Sequence, residues 1–108
     1  MPHLRFRGCN QTEVIEMNRR LISKLSKVLG CPKDDFTVEY IDSLFVFDGL
    51  EEGNKYPFIE VLWFKRDEHK QEVVDIINEL FKPYHYEYVT VYFNNLDPGD
   101  YYENGKSF

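Results

Sequence analysis

The sequence predicts an α+β domain with the element order β-α-β-β-α-β, folded as a two-layer sandwich in which a four-stranded mixed sheet carries two helices on one face. Two amphipathic helical segments alternate with runs rich in β-branched and aromatic residues. The strand spacing also repeats, since Pro2 precedes Phe36 by 34 positions and Phe58 precedes Val89 by 31. Each half of the single domain therefore forms a β-α-β unit, with two parallel strands joined by a right-handed crossover.

The first strand and the first helix have clear local signals. Residues 2–8 alternate between polar and apolar side chains, which is the period of a strand. Residues 13–29 carry apolar side chains at helical spacing, which predicts a helix with one buried face. Asn10 and Glu13 have the spacing of a capping box, and Gly30 is suited to end the helix.

The centre of the chain combines extended segments with a polar loop. Residues 36–41 predict a second strand, and residues 44–47 a further short extended segment. Residues 48–56 contain two glycines among charged residues and predict a loop, which divides the domain into halves of about 1–48 and 56–108. The second half then supplies, in order, a strand over 57–65, a helix over 68–81, a strand over 86–94 and a hairpin turn at Asn104-Gly105.

Charge and composition exclude several classes of function. The net charge is −6 and no block of Lys or Arg occurs, which argues against nucleic-acid binding and against an anionic membrane surface. No apolar run has the length of a leader core or of a membrane span, so we expect a cytoplasmic protein. Cys9 and Cys31 are then expected as free thiols, and no metal site or cofactor is predicted.

One face of the predicted sheet is unusually polar. The alternation of the first strand places His3, Arg5 and Arg7 on the face away from the helices, and Glu39 and Glu60 are expected on the same face. Arginines and carboxylates on one face can pair with each other. The two arginines therefore have two interpretations, as structural ion pairs or as ligands of a substrate carboxylate.

The opening Met-Pro-His-Leu-Arg-Phe-Arg-Gly resembles the start of tautomerase-superfamily chains. The chain as a whole is most similar to a bacterial domain-of-unknown-function family within that superfamily, which shares this opening, the segment Glu-Tyr-Ile-Asp-Ser at 39–43 and the tail Tyr-Tyr-Glu-Asn-Gly at 101–105. The tail over 87–108 also resembles that of macrophage migration inhibitory factor members. The strand over 56–66, entering the second helix, resembles that of the hydroxymuconate isomerases.

The resemblance implies a mechanism and an assembly. Members lose the initiator Met and use the exposed proline amine as a base, which makes Pro2 the candidate catalytic residue. Arg5, Arg7, Lys33 and Tyr92 are the candidates for holding a substrate. The lysine, tyrosine and asparagine of the migration inhibitory factor site fall on other residue types here, although Lys33 lies two positions from the lysine's place. The resemblance also implies a homotrimer with edge strands paired between subunits.

Three functions follow from these patterns. The first is a keto–enol tautomerase or isomerase, in which the Pro2 amine removes a proton next to the carbonyl of a small 2-oxo acid. The second is a non-catalytic trimeric binding or assembly module with the same fold, in which Pro2 only starts a strand. The third is a ferredoxin-like small-molecule sensor, because that fold shares the element order.

Overall fold

The computed structural model describes residues 2–108 and contains one four-stranded sheet, two small hairpins and two α-helices. The strands of the main sheet are β1 (His3–Arg7), β2 (Thr37–Tyr40), β5 (Phe58–Trp63) and β6 (Thr90–Asn95). The hairpins are β3 (Phe45–Phe47) with β4 (Leu50–Glu52), and β7 (Tyr102–Glu103) with β8 (Lys106–Ser107). The helices are α1 (Gln11–Leu29) and α2 (Lys70–Phe81).

The main sheet has the order β2-β1-β5-β6 and is mixed, as predicted. The pairs β1–β2 and β5–β6 are parallel, and the central pair β1–β5 is antiparallel. The two strands of each β-α-β unit are thus direct neighbours. In a split β-α-β arrangement another strand would lie between them.

The first helix is fixed at both ends by the residues that its sequence indicates. The backbone N–H of Asn10 donates to the Glu13 carboxylate at 2.9 Å, as in a capping box. Gly30 ends the helix in the left-handed region, with φ 66°, which glycine adopts without a steric penalty. The helix begins at Gln11, two positions before the predicted start.

The segment predicted as a loop over 48–56 is partly a hairpin. β3 pairs with β4, and the turn residues Asp48 and Gly49 both have positive φ, 53° and 78°. An Asp-Gly pair between short extended segments is the sequence signal for such a turn. The loop was predicted instead because charged residues surround this pair. The predicted hairpin at Asn104-Gly105 is confirmed, with φ values of 55° and 81°.

The core lies between the sheet and the two helices. Leu4 and Phe6 of β1 and Ile59, Val61 and Trp63 of β5 are buried on the helix-facing side of the sheet. The predicted facing of β1 is therefore confirmed. β5 is apolar on both faces in sequence, and the structure shows that its Ile59 side is the one that packs on the helices. The helices contribute the remaining large buried side chains, chiefly Val14, Met17, Leu21, Leu25, Val73, Ile77, Leu80 and Phe81. Between residues 2 and 108, neither helix has the length and apolarity needed to cross a bilayer.

Candidate functional site

Pro2 lies at the start of β1, and its side chain is fully buried. Its carbonyl accepts a hydrogen bond from the backbone N–H of Thr37 at 3.2 Å, which ties it to the start of β2. While Met1 is attached, the Pro2 nitrogen belongs to a tertiary amide and is not basic. Removal of Met1 converts the same atom into a secondary amine, held in position by the buried ring.

Pro57 occupies the matching position in the second half of the chain. It precedes β5 as Pro2 precedes β1, it is also buried, and its carbonyl accepts from the N–H of Thr90 at 3.0 Å. A proline at the strand start is thus a feature of both halves. The nitrogen of Pro57 stays in a peptide bond, whereas that of Pro2 becomes free if Met1 is removed.

Lys33 lies at the same end of the sheet as Pro2. It begins a single 3-10 turn, Lys33–Asp35, and its carbonyl accepts from the N–H of Phe36 at 3.2 Å. The next residue, Thr37, is the one bonded to Pro2. Lys33 is exposed and has no ion pair among residues 2–108, so its ammonium group is available to an anion arriving at this end.

Arg5 is engaged by two carboxylates. Its Nε donates to Glu39 Oε1 at 2.9 Å, and its Nη1 lies 3.6 Å from Glu60 Oε1. The network extends to both edges of the sheet, because His3 Nε2 lies 2.8 Å from Glu39 and the Asn94 amide donates to Glu60 at 3.3 Å. The structural interpretation of Arg5 as an ion-paired residue is therefore confirmed, and its guanidinium is largely neutralised by its neighbours.

The network makes the stability of the protein sensitive to acid. A hydrogen bond to His3 and one to Arg5 lower the pKa of Glu39 below its usual value. A carboxyl whose folded pKa is depressed contributes stability above its ordinary pKa and loses it as the pH falls through the folded value. We expect the melting-temperature difference between wild type and Glu39→Gln to be largest near pH 7 and to shrink below about pH 4.

Glu51→Gln is the matched control for this titration, since Glu51 is exposed and forms no ion pair within residues 2–108. Thermal unfolding of all three proteins between pH 3 and 7, at one protein concentration, measures the effect. A difference between wild type and Glu39→Gln that is independent of pH would contradict this assignment.

Arg7 and Tyr92 lie away from Pro2. Arg7 follows Pro2 by five positions on an extended strand, which separates their backbones by about 16 Å. Tyr92 lies on β6 opposite Glu60, so β5 separates it from β1, and its side chain is 55% exposed. Of the residues predicted from sequence, the structure thus brings Lys33 to the Pro2 end and leaves Arg7 at the other end of the strand.

Two features of the open sheet face were missed from sequence. At the Pro2 end, the C-terminal tail packs on Phe64, whose ring centroid is 5.3 Å from that of Tyr101 and 4.9 Å from that of Phe108. At the other end, Arg7 lines a cleft with aromatic walls. The aromatic residues of both features are visible in the sequence, but their convergence depends on pairing between distant strands.

The cysteines lie outside these features. Cys9 is buried, and burial followed by the nearby Glu13 carboxylate raises its pKa to about 12, which keeps it a thiol at neutral pH. Cys31 is a half-buried free thiol just after α1. Across the described part of the chain, no three His, Cys, Asp or Glu side chains come together as a metal site would require.

A model of the family described as "Domain of unknown function (DUF1904)" matches residues 1–107. A crystal structure of a DUF1904 protein from Sebaldella termitidis is 39% identical, with a TM-score of 0.94 over 100% of both chains. A macrophage migration inhibitory factor-like protein from Entamoeba histolytica is 18% identical, with a TM-score of 0.73 over 99% of this chain and 98% of that one.

A wild-type fused 4-OT described as an asymmetric trimer is 12% identical, with a TM-score of 0.78 over 97% of this chain and 94% of that one. At these low identities the last two likenesses show the fold alone. They confirm the predicted tautomerase-like architecture. Among curated proteins, none matches the chain significantly.

Proposed function

The chain belongs to the DUF1904 family, and from that membership together with its tautomerase fold we propose that it is a tautomerase or isomerase, in which the Pro2 amine acts as general base on a small 2-oxo acid. The observation that carries the proposal is the placement of Pro2. Its ring is buried at the start of β1 and anchored to Thr37, so removal of Met1 would leave a fixed secondary amine at the edge of the core.

Burial supports the protonation state that the reaction needs. An α-amino group has an ordinary pKa of about 7.7 to 8.0. Desolvation disfavours the charged form of an amine and lowers that value. The amine would then be neutral near pH 7 and able to remove the proton at C3 of a 2-oxo acid. The electron pair of the broken C–H bond moves into the enolate, and the protonated amine returns the proton at the product position.

The substrate carboxylate is assigned first to Lys33. This residue has a free ammonium group and lies in the turn that leads to the residue bonded to Pro2. Arg5 is a weaker candidate, because a substrate would compete with Glu39 and Glu60 for its guanidinium. A small 2-oxo acid at Pro2 could contact Arg7 only if a second copy of the chain brought its own Arg7 there. The same holds for Tyr92, which would also have to come from a second copy.

A homotrimer in the cytoplasm is the proposed form of the protein. The hairpin of β3 and β4 and the residue before it expose large apolar side chains, namely Leu44, Val46, Phe47 and Leu50, each more than 60% exposed. The outer strands β2 and β6 also have unpaired edges in a single chain. Association of copies would cover both. Because the net charge is acidic, we do not propose nucleic acid or an anionic membrane as a partner. The proposed proton transfer uses no cofactor.

The alternative is a non-catalytic trimeric module, and the Pro57 position favours it. Pro57 repeats the burial and the hydrogen bonding of Pro2 although its nitrogen can never become free. A strand-start proline is therefore sufficient to explain Pro2 without catalysis. The two functions differ in two testable properties. Catalysis requires a free Pro2 amine in the cell and faster exchange of the C3 protons of a 2-oxo acid, whereas the module requires neither.

The first experiment is the intact mass of untagged protein from its native host. The tautomerase proposal expects a mass lighter by one methionine. The same protein in deuterium oxide is then expected to exchange C3 protons of at least one 2-oxo acid, read by proton NMR, faster than buffer does. Retention of Met1 in the cell would remove the base and leave the non-catalytic module.

A further inference from the structure

We propose that the cleft around Arg7 is a second binding site, suited to a planar apolar carboxylate and independent of Pro2. It is a cleft of about 550 Å³ on the open face of the sheet, within the range of about 300 to 1,000 Å³ typical of small-molecule pockets. Its lining consists of Arg7, Phe45, Tyr56, Phe58, Tyr88 and Thr90. This site goes beyond the proposed function, since it lies at the end of β1 remote from Pro2.

Arg7 is the charged group of the cleft, and it lacks a carboxylate partner. The strand register places Arg5 between Glu39 and Glu60, whereas the residue opposite Arg7 on β5 is Phe58. Arg7 is half-buried and forms no ion pair within residues 2–108. A partly desolvated guanidinium without a counter-charge is costly, and a bound carboxylate would supply two charge-assisted hydrogen bonds.

The walls of the cleft favour a flat apolar body on that carboxylate. The rings of Phe45 and Tyr56 are nearly parallel, with centroids 5.8 Å apart, and the centroids of Tyr56 and Tyr88 are 6.4 Å apart. Phe58 closes the cleft beside Arg7, and the Thr90 hydroxyl adds a polar group. One cation, the Thr90 hydroxyl and four aromatic side chains, two of them tyrosines, match an aryl carboxylate.

The position of the cleft within the repeat predicts binding without proton transfer. Phe58 and Thr90 correspond in the second half to His3 and Thr37, which adjoin Pro2 in the first half. The proline at this end is Pro57, whose nitrogen is fixed in a peptide bond. The cleft thus repeats the location of the Pro2 end but contains no amine that could act as a base.

Calorimetric titration with 2-naphthoate tests this site, with uncharged 2-naphthamide as the control ligand. We expect saturable binding of the carboxylate and binding of the amide weaker by about tenfold or more. Arg7→Gln is expected to weaken naphthoate binding by about the same factor. Arg19→Gln, which removes an equal charge from an exposed position on α1, is expected to leave it unchanged.

Two further measurements separate this site from the proposed active site and from a subunit interface. Naphthoate binding is expected to persist in Pro2→Ala, and its loss there would place the ligand at the Pro2 end and overturn the inference. The mass of Arg7→Gln in light scattering is expected to equal that of wild type, and a smaller assembly would identify the cleft as a contact between copies. Equal binding of naphthoate to wild type and Arg7→Gln would likewise overturn it.

Discussion

Protein that retains Met1 is expected to exchange the C3 proton of its 2-oxo acid at least about 100-fold more slowly than the same protein after treatment with methionine aminopeptidase. The two samples differ in one bond. In the retained form the Pro2 nitrogen is an amide with no basic electron pair, whereas in the trimmed form it is a buried amine. Proton NMR in deuterium oxide, with intact mass as the measure of trimming, reports the rate for each sample.

Pro2→Ala and Pro57→Ala form a matched pair for the same mechanism. Both substitutions remove a buried ring whose carbonyl bonds to a threonine N–H. Only the first alters the proposed base, because an alanine amine lacks the ring that fixes its position. We expect a large loss of exchange in Pro2→Ala and a small one in folded Pro57→Ala. Unchanged exchange in Pro2→Ala, or equal rates before and after trimming, would end the proline mechanism.

Gly8→Ala is expected to be the most damaging of the glycine-to-alanine substitutions among residues 2–108. Gly8 has φ +76°, and a Cβ added there would lie 2.0 Å from the carbonyl oxygen of Tyr56. The contact is with backbone, so relieving it requires the 45–56 segment to move off the end of β1. We expect the free energy of unfolding to fall by about 4 kcal/mol or more, into the range that marks exceptional mutations.

Gly49→Ala separates backbone strain from this close approach. Gly49 has nearly the same φ, +78°, but nothing lies within 4 Å of its added Cβ. Its expected cost is only about 1 to 2 kcal/mol, the penalty of a left-handed conformation with a side chain. Chemical unfolding at one protein concentration measures both variants. Equal losses would show that the contact between Gly8 and Tyr56 does not constrain the fold.

The Gly8 contact shows what local sequence leaves undecided. A glycine after a strand indicates a turn, but nothing near it in the chain indicates that the backbone of Tyr56 passes against it. The Arg7 cleft depends on that approach, since Tyr56 is one of its walls. The hairpin of β3 and β4 also helps to form this cleft, because it carries Phe45, another of the cleft walls. From sequence, the Asp-Gly turn of that hairpin is assigned to a loop, so the hairpin is not predicted.

Short-range periodicity in the sequence is sufficient to predict much of the secondary structure. Alternation along β1 predicted its buried side chains, helical spacing predicted both helices, and Asn104-Gly105 predicted a hairpin. The resemblance to tautomerase-superfamily chains also made Pro2 the candidate base, and that role stays a prediction.

Strand pairing is what distinguishes the two arginines of β1. Arg5 and Arg7 have the same residue type, the same strand and the same face, and either was a candidate for ion pairing or for a ligand. The register with β2 and β5 places carboxylates on both sides of Arg5 and an aromatic ring beside Arg7. Register is set by residues more than 30 positions away in the chain, so the partner of each charge is a property of strand pairing and not of local sequence.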